Sequence, residues 1–367
     1  MSTLKRIPKV LKLTPEQEAD IAGLSYLHSD APGFVRKRVG KHFRYFDAKG
    51  KLVSDPKLKA RFKALVIPPA WENVWISPDP RNHIQVTGRD ERGRKQYRYH
   101  SLWRTQRDGT KFDKMLIFGK VLPKIRQEIK TNLNAKSLSK RQIVATVVHL
   151  LETTLIRVGN ESYAKQNKSY GLTTIRDKHV EIDHGTLRFQ FKGKSGVAHD
   201  VKVKDRRIAK IVERCHDLPG QLLFKYLDEA GELRPVGSTD INEFLRHVTG
   251  NPFTAKDFRT WCASVLAAKV LREFEPPTSM TRGNKNVKAA ITEVAAALRN
   301  TVSVCKKCYV HPKVIEAYLD GMLDEKSARK YQRVMKSYIA TGLGKDEAFL
   351  LALIEGCDTA KTRTKAA

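Results

Sequence analysis

The hydrophobic pattern of this chain changes period near residue 100, and that change limits what the chain can fold into. Before it, apolar and aromatic residues alternate. His42-Phe-Arg-Tyr-Phe46, Trp71 to Ile76 and His83 to Thr87 each read as a short strand with one face turned inward. Asp47-Ala-Lys-Gly50 is a turn, after which Lys51-Leu-Val53 is expected to return as the second arm of a hairpin. From about residue 105 the spacing becomes helical. Ser139-Lys-Arg-Gln142 reads as a capping box, opening a helix whose apolar residues at 143, 144, 147, 148, 151 and 155 share one face. Arg157 stands at the end of that run, which Gly159 and Asn160 break. Helical patterning returns over 205–216, 239–248, 254–274, 284–299 and 312–319. Three strands are predicted among these helices, over 180–182, 187–191 and 201–203. The expected class is α+β, with a small β-rich N-terminal domain over 1–100 and a mainly α-helical domain over 101–367 that holds a small three-stranded sheet. The segment after Leu323 reads as helical and carries no recognisable motif.

Charge narrows the partner. The 367 residues carry 69 Lys+Arg and 39 Asp+Glu, a formal net charge of +30, and 41% of them are hydrophobic. That apolar content excludes a disordered basic tail. No stretch approaches the ~18–20 apolar residues a membrane span needs. The opening Met1-Ser-Thr-Leu-Lys-Arg has no apolar core of a secretory signal, so a cytoplasmic protein is expected. The surplus charge is spread along the chain instead of gathered in one terminal arm. The expected partner is therefore a polyanion held on an extended basic surface. The run Thr87-Gly-Arg-Asp-Glu-Arg-Gly-Arg-Lys-Gln-Tyr-Arg-Tyr-His100 interleaves cations with aromatics. Arg89, Arg92, Arg94, Lys95, Tyr97, Arg98 and Tyr99 are its candidate nucleic-acid contacts.

Five cysteines, at 215, 262, 305, 308 and 357, are odd in number and irregular in spacing, which favours free thiols. Cys305 and Cys308 form one C-x-x-C with no second pair to complete a zinc site, so no metal is expected. Gly193-Lys194-Ser195 invites a P-loop reading, but position 188 is Arg and a strand, not a helix, is predicted to follow. No nucleotide cofactor is expected, and Lys194 is placed at the tip of a β-hairpin. Arg157 and Arg259 are the guanidinium groups best suited to grip two phosphate oxygens each.

Eight segments together carry a family resemblance. They are Pro68-Pro-Ala-Trp71, Thr87-Gly-Arg-Asp90, Gly93-Arg-Lys-Gln-Tyr-Arg-Tyr-His100, Ile156-Arg-Val-Gly-Asn160, Ser169-Tyr-Gly-Leu-Thr-Thr174, Phe191-Lys-Gly-Lys-Ser-Gly196, Thr254-Ala-Lys-Asp-Phe-Arg-Thr-Trp261 and Tyr309-Val-His-Pro312. In this order they resemble the type IB DNA topoisomerases of the compact bacterial and poxvirus-like branch. The resemblance implies Tyr309 as the nucleophile, Arg157 and Arg259 as phosphate clamps, and Lys194 as the acid for the leaving 5′-oxygen. Lys256 would assist, and Asn300 would stand where poxvirus members carry a histidine. Arg299 occupies a position where glycine is expected. The same resemblance implies a monomer that clamps duplex DNA and works without ATP or metal through a 3′-phosphotyrosine. Two other classes compete. A tyrosine recombinase would share the catalytic residues, but it typically has H-x-x-R where this chain has Lys256-Asp-Phe-Arg259. A non-enzymatic architectural DNA-binding protein would explain the charge and leave Tyr309, Lys194 and Asn300 without a role.

Overall fold

A computed structural model describes residues 9–10, 13–135 and 137–364, excepting the side chains of 325–328 and 357–364, so the Cys357 thiol lies outside the described residues. The chain divides into two compact units, Leu11–Asp113 and Lys114 onward together with the first ten residues.

The first unit begins with α1 (Pro15–Ile21), where Thr14 and Gln17 form a reciprocal capping box. Five strands follow, β1 (Phe34–Val39), β2 (His42–Phe46), β3 (Glu72–Ile76), β4 (Ile84–Arg89) and β5 (Lys95–Tyr99), with α2 (Pro56–Ala64) between β2 and β3. They make one antiparallel sheet in the order β2-β1-β3-β4-β5. Asp55 caps α2, which turns Phe62 onto Val53, Val74, Ile76 and Val86 to form the core of the unit. The hairpin expected between 42–46 and 51–53 shrinks to a single bridge, Phe46 to Leu52. The full partner of β2 is β1, a strand the sequence did not reveal. Its inward position is taken by Arg36 in place of an apolar residue. Arg36 is only 7% exposed; it lies over the Phe43 ring at 4.2 Å and donates to the carbonyls of Ile67, Pro68 and Trp71 at 3.1, 2.9 and 2.7 Å. Two carbonyl groups of the Pro68-Pro-Ala-Trp71 segment, those of Pro68 and Trp71, are thus satisfied by a buried cation.

The second unit opens in α3 (Ser101–Leu133), within which the division between units falls. Next comes α4 (Lys140–Thr154). Ser139 Oγ accepts from the Gln142 amide as predicted, but only half of the capping box forms. The buried Gln142 side chain turns instead to the carbonyls of Leu133 and Ala135 just past α3. After α5 (Glu161–Asn167) the three predicted strands appear as β6 (Val180–Asp183), β7 (Thr186–Lys192) and β8 (Ala198–Lys204), antiparallel, with β7 in the middle. The chain continues through α6 (Arg206–His216), a ribbon of β9 (Lys225–Leu227) and β10 (Leu233–Pro235), and α7 (Ser238–Thr249). Then come α8 (Ala255–Arg272), α9 (Met280–Leu298), α10 (Val302–Cys308), α11 (Pro312–Leu319), α12 (Glu325–Ala340) and α13 (Lys345–Thr364).

Helix α8 is the axis of this unit. Phe258, Trp261, Ala263, Ala267, Ala268 and Leu271 are buried around its circumference, and it packs on α4, α7, α9, α11 and α13. A helix apolar on all sides has to be surrounded by others. The segment beyond Leu323 supplies part of that enclosure. Ala348 to Ile354 of α13 are almost wholly buried, and Arg126 of α3 joins Glu152 of α4 and Glu347 of α13, each at 2.7 Å. Among the described residues no helix is long and apolar enough to cross a membrane.

Candidate active site

The site is built where two helices end in the same way. Helix α4 stops at Thr154 because Leu155 adopts a left-handed conformation (φ 56°), earlier than the Gly159-Asn160 break expected from sequence. Helix α9 stops at Leu298 because Arg299 does likewise (φ 51°). An L-residue pays about 1–2 kcal/mol for this region, and glycine does not. Each turn throws the following residues away from its helix axis. Arg157 leaves the end of α4 and Asn300 leaves the end of α9, so residues distant in sequence meet.

Arg259 clips the two ends together. It projects from α8 with 3% exposure, and its guanidinium donates to the Leu155 carbonyl and, at 2.8 Å, to the Leu298 carbonyl. The last carbonyls of a helix lack intrahelical partners and carry its negative pole, so a buried cation is well placed between two of them. Burial, followed by the neighbouring Arg157, lowers the Arg259 pKa from its ordinary value, although a guanidinium stays charged. Its Nε is buried without a partner, and the group lies 5.5 Å from the centre of the Tyr309 ring. A guanidinium has five N–H donors. Two carbonyls use only part of that set.

Asn300 is oriented by Arg157, whose Nη2 donates to Asn300 Oδ1 at 2.6 Å. Because arginine offers no acceptor, this contact fixes which end of the amide faces it. The amide nitrogen Nδ2 is left buried and unpartnered. Two donors without acceptors, Arg259 Nε and Asn300 Nδ2, therefore lie in one cluster of residues around Tyr309.

Arg157 is held from behind by the Ser169-to-Thr174 segment. The Leu172 N–H donates to the Arg157 carbonyl at 2.9 Å, and Thr173 grips the Val158 carbonyl with both its N–H and its hydroxyl. Gly171 permits that approach, since a Cβ there would sit 2.5 Å from the Arg157 carbonyl oxygen. The Tyr170 N–H then reaches the Lys192 carbonyl at the end of β7, at 2.9 Å.

Tyr309 is the residue just past α10, with its side chain half-buried. Ser264, five residues along α8 from Arg259 and fully buried, sets its backbone. The Ser264 hydroxyl accepts from the His311 N–H at 2.9 Å and shares its proton between the carbonyls of Tyr309 (3.1 Å) and Thr260 (3.0 Å). Cys305 lies buried beneath the same turn, and its carbonyl accepts from the N–H groups of Tyr309 and Val310.

The structure thus brings Tyr309, Arg157, Arg259 and Asn300 together. Lys194 and Lys256 stand outside that hydrogen-bonded set. Lys194 is exposed in the short 3₁₀ turn between β7 and β8, where the sequence placed it, and Lys256 is exposed on the first turn of α8. Beneath the Lys194 turn lies His199, 6% exposed and stacked on Phe191 at 4.6 Å. Burial, then Arg299, Arg157 and Arg259, push its pKa down to about 4, so the ring stays neutral beside three cations; its Nδ1 has no partner. Sequence spacing gave no signal for Ser264 or His199, because both act through neighbours distant in sequence.

In the first unit, the basic run forms β4, a turn and β5, with β5 at the sheet edge. Lys95, Tyr97 and Tyr99 share its exposed face. The two rings stack at 5.9 Å, with the Lys95 ammonium 5.6 Å from the Tyr97 ring centre. Arg98 points to the other face. Arg89 donates to the Gly93 carbonyl, Arg94 pairs with Asp90 at 2.7 Å, and the Arg92 N–H bonds the Asp90 carboxylate, so this trio shapes the turn. The Arg94 hydrogen bond is the foremost reason the Asp90 pKa falls to about 2.

Comparison with known proteins gives the family. Residues 100–336 match the family model for eukaryotic DNA topoisomerase I, catalytic core, and residues 42–90 match that for the bacterial DNA topoisomerase IB N-terminal domain. DNA topoisomerase 1B of Acanthamoeba polyphaga mimivirus is 32% identical over 325 residues, covering 85% of this chain and 97% of that protein. DNA topoisomerase 1B of Vaccinia virus is 25% identical over 256 residues, covering 68% of this chain and 76% of that protein. DNA topoisomerase 1 of Mycosarcoma maydis is 26% identical over 273 residues, 66% of this chain but only 26% of its own length. With the catalytic-core match spanning most of the second unit and the mimivirus relative aligned almost end to end, the chain belongs to the type IB DNA topoisomerase family.

Proposed function

We propose that this protein relaxes torsionally strained duplex DNA by cutting and resealing one strand through a 3′-phosphotyrosine. The observation that carries this reading is a pair of unsatisfied donors, one on Arg259 over the Tyr309 ring and one on the Asn300 amide that Arg157 holds. Asn300 Nδ2 and Arg259 Nε are buried without acceptors, while the rest of each side chain is pinned by Arg157 and by two helix-end carbonyls. Buried donors are nearly always paired. A phosphodiester whose non-bridging oxygens entered this cluster would satisfy both, and the donors would bind more strongly as phosphorus becomes five-coordinate and gains charge.

In this reading the Tyr309 phenol gives its proton to solvent water as Oη attacks phosphorus, the P–O5′ bond breaks, and the strand is left with a free 5′-hydroxyl. A phenol of pKa ~10 is about one-thousandth ionised at neutral pH, so the flanking guanidinium groups assist by stabilising the developing phenolate. Lys194 delivers the proton taken up by the departing 5′-oxygen, and Lys256 adds positive charge one turn from Arg259. Resealing is the reverse. One phosphodiester is exchanged for another, so neither ATP nor a metal is required, and the cut strand swivels about the intact one in between. We read the protein as a monomer in the cytoplasm, associated with the nucleoid, whose two basic units both hold the duplex; Lys95, Tyr97 and Tyr99 would meet the backbone.

The deciding experiment is plasmid relaxation in EDTA without ATP. A ladder of relaxed topoisomers is expected, with none from Tyr309→Phe. Activity confined to paired specific sites would favour a recombinase instead, and retained activity in Tyr309→Phe would refute the nucleophile.

A further inference from the structure

The left-handed residue that ends α9 carries a long charged side chain where glycine would fit with less strain, and that side chain reaches the hairpin of Lys194. Arg299 Nη1 donates to the Ala198 carbonyl and Nη2 to the Asp200 carbonyl, each at 3.0 Å. Both acceptors belong to β8, the edge strand of its sheet, and an edge strand presents alternate carbonyls without ladder partners. The guanidinium fork spans two such carbonyls at the spacing the strand provides.

We propose that Arg299 is a positioning residue that fixes Lys194 relative to Asn300. The connection is short and stiff. Arg299 directly precedes Asn300 in the chain. On the other side, Ala198 pairs with Lys192, and the intervening turn is closed by Gly193 N–H to Val197 carbonyl (2.8 Å) and Gly196 N–H to Gly193 carbonyl (3.1 Å). Gly193 also sits hard on the His199 ring, 2.6 Å from Nε2 to where a Cβ would stand, so the turn has little room to shift. The β7 side of the hairpin is tied at Lys192 to Tyr170, in the segment that backs Arg157. The β8 side is tied by Arg299. Two tethers therefore connect an exposed lysine to the two residues, Arg157 and Asn300, that hold each other at 2.6 Å. With the β8 tether lost, Lys194 would keep its chemistry and lose its register.

This inference rests on the reading of Lys194 as the acid for the 5′-oxygen, and the experiment separates the two. Single-turnover cleavage is measured on one duplex in two forms, with the ordinary 5′-bridging oxygen and with a 5′-bridging sulfur, a leaving group that needs no proton. Arg299→Gly suits the left-handed backbone and so preserves the turn. It is expected to cleave the oxygen substrate on the order of 10- to 100-fold more slowly than wild type, the scale of a misplaced catalytic group. It should cleave the sulfur substrate within about twofold of wild type, a difference too small to implicate the other steps. Arg299→Lys, which lacks the fork, should fall between. Lys194→Ala is the control and should show the same rescue. If Lys194→Ala is rescued but Arg299→Gly is equally slow on both substrates, Arg299 acts on the phosphate or on general folding, and the inference is overturned. A wild-type rate for Arg299→Gly on the oxygen substrate overturns it too. If Lys194→Ala is not rescued, the acid assignment fails and this inference falls with it.

Discussion

Arg157 Nη2 holds Asn300 Oδ1 at 2.6 Å across 143 residues of sequence, and this contact decides what Asn300 can do. The amide is turned so that only its nitrogen is available to a ligand. Asn300→Ala removes one oriented donor, which is expected to slow single-turnover cleavage by about 100-fold. Asn300→Asp should be worse than alanine, because a carboxylate would pair with Arg157 and present negative charge to the phosphate. Aspartate faster than alanine would show that the amide nitrogen is not the working end.

Ser264 links the helix carrying Arg259 to the backbone of Tyr309 and His311. Ser264→Ala leaves the buried His311 N–H and the Tyr309 carbonyl without this hydroxyl, at a cost of about 1–3 kcal/mol in unfolding free energy. Cleavage should slow while affinity for duplex DNA is unchanged, because the serine bears on the Tyr309 backbone and not on the basic strand β5. Equal losses in binding and cleavage would argue against this role.

His199 imposes an acid limit on stability. Its pKa lies near 4 in the folded protein and at 6.5 when exposed, so the unfolded chain binds the extra proton first as pH falls. Stability contributed by the neutral ring is complete above pH 6.5 and declines between 6.5 and 4, by about 2 kcal/mol at pH 5. His83, His149 and His179 are shifted in the same direction, chiefly by burial, so wild type should lose stability through several groups. The difference between wild type and His199→Gln isolates one of them. Urea unfolding at pH 7 and pH 5 should show a smaller acid loss in the variant; parallel losses would contradict the assignment.

Arg126 lies between Glu152 and Glu347, and Glu347 also accepts from the Trp261 indole at 3.2 Å. Burial raises the Glu152 pKa, whereas the hydrogen bond from Arg126 leads the effects that lower Glu347 against its own burial. Arg126→Met would strand two carboxylates in a desolvated position and destabilise the second unit by about 3–5 kcal/mol. Denaturant midpoints would measure this. Arg126→Met combined with Glu152→Gln and Glu347→Gln should recover part of the loss.

Much of this was legible in the sequence where local chemistry governs. The three strands around Lys194 and the α8 register that sets Lys256 and Arg259 one turn apart follow from short-range patterns, whereas the basic run was not read as the strand β5 that it forms. What escaped depends on distant partners. Strand β1 was hidden because Arg36 fills its inward position, and only the carbonyls of 67–71 make a buried arginine tolerable there. The end of α4 was placed too late because Leu155 has no intrinsic preference for a left-handed turn; Arg259, 104 residues away, gives its carbonyl a partner. Gln142 left its expected cap for the end of α3 for the same kind of reason.

The double clip made by Arg259 also bears on when the proposed site is complete. As synthesis proceeds from the amino end, Leu155 emerges first, Arg259 second, and Leu298 with Asn300 and Tyr309 only later. Until that last stretch is folded, Arg259 has one carbonyl to hold and Arg157 has no amide to orient. Nascent chains and proteolytic pieces that lack either end hold no assembled site. For the proposed strand cleavage, the order of residues along the chain is itself a safeguard.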